Sequence, residues 1–176
     1  TGLGIPMVLS PLPAPGAVFE RASGTWNSDS IELVDGAGTV AGNYSFAVTY
    51  VDMEASSPYV SQSDNGNAES HPSIRATETL TTGHVASIDI ALLNPPTGVQ
   101  HPAQRMLAAV SPLKATHWNV WAGLSTGDLY LQNATPIPIA TKTYLFAGNP
   151  VLSGSLVGLG QYPDRRFAIV PMRQRG

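Results

Sequence analysis

Bulky and small side chains alternate without a break along residues 43–51. Tyr44, Phe46, Val48 and Tyr50 fall on one face, and Ser45, Ala47 and Thr49 on the other. Period-two alternation marks a strand with its bulky side toward a core, so this stretch is predicted to be a principal strand. Further strands are read at 30–34, 59–62, 74–80, 85–92, 117–122, 129–132 and 142–146, where Val, Ile, Thr and aromatic residues gather between turn formers. The arms 74–80 and 85–92 flank Thr81-Thr82-Gly83-His84 and are expected to form a hairpin. The second arm puts Ala86, Ile88, Ile90 and Leu92 on an apolar face, opposite Val85, Ser87, Asp89 and Ala91. In 117–122, Trp118 and Trp121 point to opposite faces. One is expected in the core and the other at a surface, edge or interface.

Seventeen glycines and fifteen prolines punctuate the chain and leave no long amphipathic helix. The best helical stretch is 103–110, bracketed by Pro102 and Pro112. Short strands at this spacing predict an all-β sandwich over residues 25–160. The stretch 94–116 is an elaboration on one edge that holds the short helix.

Both ends differ from this middle. Residues 1–24 carry Pro6, Pro11, Pro13 and Pro15 among Ile5, Met7, Leu9, Leu12 and Phe19. Proline fixes φ and removes donors, so the segment is expected to be an extended arm. Being apolar, it should lie against a surface. Residues 161–176 set Phe167 and its apolar neighbours between Arg165, Arg166 and Arg173, and read as a closing strand or a second docking arm. Ile5, Met7, Leu9, Leu12, Phe19, Arg165, Arg166, Phe167 and Arg173 are the nine candidate interface residues.

Composition narrows the partners. Charged residues make up 12% of the chain, against about 25% in an ordinary domain. Net charge is −3, and the Lys and Arg residues are scattered outside the carboxyl-terminal tail. Nucleic-acid binding normally shows a basic stripe, so nucleic acid is not expected as a partner. No apolar run reaches the roughly 18 residues of a membrane helix, and no membrane partner is expected. Cysteine is absent, which removes disulfides, thiolate metal sites and thiol nucleophiles. The first residues lack the pattern of a signal peptide, and Thr1 fits removal of an initiator Met, so cytoplasmic synthesis is expected.

Several residues carry a family pattern. Val40-Ala41-Gly42-Asn43-Tyr44-Ser45-Phe46-Ala47-Val48-Thr49-Tyr50-Val51-Asp52 is followed by a turn and Ser57-Pro58. Later come Trp118-Asn119-Val120-Trp121-Ala122-Gly123, then Leu129-Tyr130-Leu131-Gln132-Asn133 and Pro136-Ile137. In order and spacing these resemble the fibronectin type III-like (immunoglobulin-like) domains of tailed-bacteriophage virion proteins, over about residues 35–146 apart from an unmatched stretch at 95–116. The resemblance implies an immunoglobulin-like β-sandwich and a non-enzymatic structural role in a virion, as a neck or tail connector, collar or capsid decoration. It implies other virion proteins as partners (portal, adaptor, tail or major capsid) and a homo-oligomer. It transfers no catalytic residue and no cofactor. Such domains also serve as carbohydrate-binding or adhesion modules, which gives the alternative of contact with a host glycan.

Other chemistry is weaker. Gly123-Leu124-Ser125-Thr126-Gly127 satisfies Gly-x-Ser-x-Gly, but a nucleophile elbow needs a helix after it, and a strand is predicted there instead. His71, His84, His101 and His117 share no metal-ligand spacing. Asp64-Asn65-Gly66-Asn67-Ala68-Glu69 offers several oxygens without EF-hand spacing, and is read as a loop. Trp26, Trp118 and Trp121 are the residues from which a sugar-stacking platform would be built.

Overall fold

The structure, a computed structural model, describes residues 24–53, 68–70, 72–95, 97–99 and 113–157. The nine candidate interface residues, the predicted helix 103–110 and the predicted strand 59–62 lie outside them. In chain order the strands are β1 (Ile31–Asp35), β2 (Gly42–Asp52), β3 (Ala68–Glu69), β4 (Ala76–Leu80), β5 (His84–Asp89), β6 (Thr97–Val99), β7 (Leu113–Lys114), β8 (His117–Leu124), β9 (Tyr130–Leu131), β10 (Ile137–Pro138) and β11 (Thr143–Leu145). The only helical turn among the described residues is Ser28–Ser30, capped by the Asn27 side chain. It occupies Ser30, so the first strand starts one residue later than predicted. No helix among the described residues is long and apolar enough to cross a membrane.

Two antiparallel sheets form an all-β sandwich. One runs β1-β5-β11. The other is built on the β2–β8 pair, with β3 and β4 on the far side of β2, and β9 and β10 on the far side of β8. The pairs β1–β5 and β2–β8 interlock, because the chain changes sheet between β1 and β2, between β4 and β5, and between β5 and β8. A short third pairing joins β6 to β7.

The bulky face of β2 does what its alternation predicts. Tyr44, Phe46, Val48 and Tyr50 pack in the main core with Trp118, Val120 and Ala122 of β8 and Ala86, Ile88 and Ile90 of the facing sheet. Phe146, just after β11, meets Phe46 edge-to-face at 5.7 Å and Tyr144 at 5.1 Å, a geometry that aromatic pairs favour. The indole of Trp118 donates to the Thr141 carbonyl and that of Trp26 to the Ile74 carbonyl. Large rings are thereby buried without orphaning their N–H groups.

Three expectations are corrected. The arms around Thr81–His84 do not pair with each other: β4 pairs with β2, and β5 with β1 and β11. The turn carries the chain between sheets. Leu92 is exposed rather than on the apolar face, because the Asp89 side chain accepts from the Ala91 N–H and turns the chain; Leu93 is buried in its place. Val85, assigned to the polar face, is buried beneath the Gly36 backbone.

Both neighbours of the β2–β8 pair are broken, and side chains fill the gaps. Between β3 and β4 the chain passes Pro72, which has no N–H to give. There Ser70 Oγ accepts from the Tyr50 N–H at 2.9 Å, and Ser73 Oγ from the Val48 N–H at 3.1 Å. Between β9 and β10, Asn133 Oδ1 accepts from the Val120 N–H at 2.7 Å. Each hydroxyl or amide stands in for a missing ladder carbonyl at a buried donor.

Replacing Asn133 by Ala orphans the buried Val120 N–H and is expected to lower stability by about 1–3 kcal/mol in denaturant unfolding. Tyr50 is the contrast. Its hydroxyl is the one buried side-chain polar atom without a partner among the described residues, and burial pushes its pKa up. Tyr50→Phe should therefore leave the unfolding midpoint unchanged or raise it; a clear drop would mean the hydroxyl has a partner.

Candidate functional site

The outer face of β2 and β8 carries Ser45, Ala47, Thr49, Asn119 and Trp121, and all five are buried. The bulky face of β2 was expected toward the core, and one of Trp118 and Trp121 was expected at a surface, edge or interface. Instead, both Trp118 and Trp121 are buried, on opposite faces. Trp121 packs with Ala47 and Leu129, with Leu131 and Val157 alongside. Val157 belongs to the segment that follows Pro150, which returns along β9 and supplies cover far downstream of Trp121 in sequence.

Beneath that cover runs a line of hydrogen bonds that ends on one carboxyl. Trp121 Nε1 donates to Thr49 Oγ1 at 3.0 Å, and the Thr49 hydroxyl donates to Glu69 Oε1. From the other side Asn119 Nδ2 donates to the same oxygen at 2.9 Å, and Asn133 Nδ2 donates to Asn119 Oδ1 at 2.8 Å. Glu69 sits in β3, opposite Val51, and this register carries its side chain over Thr49. Its exposure is 4%. Desolvation raises its pKa, and the bonds from Thr49 and Asn119 offset only part of that rise. Glu69 is thus a hydrogen-bonded interior residue rather than the free oxygen ligand of a loop. The remaining acidic member of that stretch, Asp64, lies outside the described residues.

The other candidates do not converge. Gly123–Gly127 lies in the β8–β9 hairpin, with Trp121 paired to Leu131 and Ala122 to Tyr130. A Cβ on Gly123 would come within 1.9 Å of the Asp128 carbonyl oxygen, so glycine here serves a close backbone approach. The strand β9 follows the motif, as predicted, where a nucleophile elbow would require a helix. His84 Nδ1 bonds to Thr81 Oγ1, and its Nε2 lies 3.5 Å from Asp35; His117 Nδ1 bonds to Thr116 Oγ1. His71 and His101 lie outside the described residues. Among the described residues no group of three His, Asp or Glu side chains could hold a metal ion. The three tryptophans are all buried, so they form no exposed stacking platform.

The chain's entry and exit are set by register. Call the end of the β2–β8 pair that holds Val51 and His117 upper, and the end that holds Tyr44 and Leu124 lower. Gly24 bridges to Leu93, just past the upper end of β5. At the other terminus, Ser155 accepts from the Leu131 N–H and the Val157 N–H donates to Leu129, so the strand runs toward the lower end. The described body therefore begins at its upper end and finishes on a strand that runs toward its lower end.

Compared with known proteins, the chain matches no family model, no curated protein and no solved structure.

A carboxyl whose pKa is raised on folding stabilises the fold while protonated. The contribution is present below the usual Glu range and is lost as pH rises through the raised folded value. Stability is expected to fall across that window by at most about 1.4 kcal/mol per pH unit for this one proton. Glu69→Gln keeps an oxygen for Thr49 and Asn119, so it should flatten this part of the profile and be no less stable than the parent at pH 7. Urea titrations of both proteins between pH 4 and 8 check this, and parallel profiles would refute it.

Proposed function

We propose that this chain is a non-enzymatic structural component of a tailed-phage virion. Its sandwich forms the body, and its terminal segments dock to neighbouring subunits. The observation that carries the reading is the direction of the two ends. The described chain begins at the upper end, at Gly24, and its last strand, Ser155–Val157, runs toward the lower end. One body can then meet one neighbour above and another below, the geometry of a repeating assembly.

Two further features support it. The strands that resemble the phage fibronectin-like pattern, β2 and β8, pair with each other along Tyr44–Val51 and form the centre of the larger sheet. The interlocking of β1–β5 with β2–β8 is the arrangement of immunoglobulin-like sandwiches. One strand departs from the usual plan: β11 lies on the free edge of β5 although it comes late in the chain. Virion localisation, the partners and the homo-oligomer belong to the same proposal. The glycan-binding alternative draws no support from the tryptophans.

The test is a deletion. Removing residues 1–16, which lie outside the described body, should preserve the β-type circular dichroism and the unfolding midpoint. It should also abolish oligomers in light scattering and incorporation into particles. Normal incorporation of the truncated chain would sink the proposal.

A further inference from the structure

The end of the described chain is built as a removable strand. Asn149 first fixes the chain to the body: its Oδ1 accepts from the Thr39 and Val40 N–H groups, and its Nδ2 donates to the Val40 carbonyl. Val151 is then clamped by Gln132, whose side chain accepts from its N–H at 2.8 Å and donates to its carbonyl at 2.9 Å. Residues 152–154 reverse direction in the open, and Gly154 takes a φ of +104°, a conformation that other residues rarely adopt. Only then does Ser155-Leu156-Val157 pair with β9, through the Leu131 N–H to Ser155 at 3.0 Å and the Val157 N–H to Leu129 at 2.8 Å.

This strand does more than decorate an edge. Val157 closes over Trp121, and without it the lower part of the outer face of β8 loses cover. Its seat must therefore be filled, but nothing requires the filling strand to come from the same chain. The connection is three exposed residues, the last of them Gly154 with its positive φ, and a short hinge favours exchange of the element beyond it. Exchange re-forms the same backbone bonds and the same apolar contact, so its net cost is small and concentration decides the outcome.

We propose that the strand Ser155–Val157 is exchanged between copies, so that the strand of one chain fills the seat beside Tyr130 and Leu131 of the next. This rests on the assembly reading above and gives one of its contacts a place.

The absence of cysteine allows a direct test. Tyr130 and Leu156 face each other as a non-hydrogen-bonded antiparallel pair, whose Cα atoms lie about 4.5 Å apart, within disulfide range. The full chain carrying Tyr130→Cys and Leu156→Cys is oxidised across a concentration series. Products are then resolved by non-reducing electrophoresis, with each single variant as background. Exchange predicts covalent dimers and larger species above that background in the oligomeric fraction. Oligomers in which every link is intramolecular would overturn the exchange alone. A chain that stays monomeric at every concentration would overturn both it and the assembly reading. Two hinge variants, which leave the seat intact, give a second measure. Gly154→Val should raise the oligomer-to-monomer ratio about fivefold or more through strain in the closed turn. Inserting Gly-Ser-Gly-Ser after Ser153 should lower that ratio. Unchanged ratios in both would also overturn the proposal.

Discussion

The pairing of β2 with β8 is the constraint from which the rest follows. These strands meet over eight residue pairs, and each is buried along most of its length on both faces. A strand pair in that position needs a core on one side, a cover on the other, and a partner for every backbone group. The facing sheet meets the first need with Ile88, Ile90 and Phe146. The second is met by Leu129, Leu131 and Val157. The third is met by edge strands that break and hand the ladder over to Ser70, Ser73 and Asn133. Such broken edges also blunt the tendency of long, regular edges to recruit other chains.

What the sequence disclosed follows from what periodicity can carry. Tyr44, Phe46, Val48 and Tyr50 announce their face because large apolar groups have one economical destination. Ser45, Ala47 and Thr49 do not, since small residues look alike under solvent and under a lid. Part of the lid over Trp121 is Val157, where nothing local in the sequence marks the contact. Glu69 reads as part of a polar loop until β3 is seen to pair with the last residues of β2. The turn at Thr81–His84 was legible as a turn, but a turn does not say whether its arms pair or part. Leu92 went astray for a local reason: Asp89 accepts from the Ala91 N–H and ends the strand three residues before its apolar pattern does.

The polar line to Glu69 shows how the third need shapes the second. Thr49 and Asn119 are on the outer face, where an apolar pair would pack as well against a lid. They instead direct their hydrogens to one oxygen on β3, a strand of two residues. So short a strand gains little from its own ladder. The buried carboxyl adds two side-chain bonds to the few that backbone pairing gives it, at the cost of desolvating an acid. That cost falls when the acid is protonated, which makes the hold of β3 on the sheet responsive to pH.

The same economy governs the terminal strand, with the opposite result. Ser155–Val157 rests on two backbone bonds to Leu129 and Leu131, and no buried polar side chain among the described residues locks it. Its contacts are generic: an edge ladder and an aliphatic side chain over an indole. Generic contacts can be remade by any identical strand, whereas the bonds of Glu69 depend on the short path that carries β3 into β4 through Ser70 and Ser73 in the same chain. Two short strands on one sheet thus differ in the property that matters for assembly. One is tied to its own body by a buried side chain, and the other is joined to it by three exposed residues that end in a glycine.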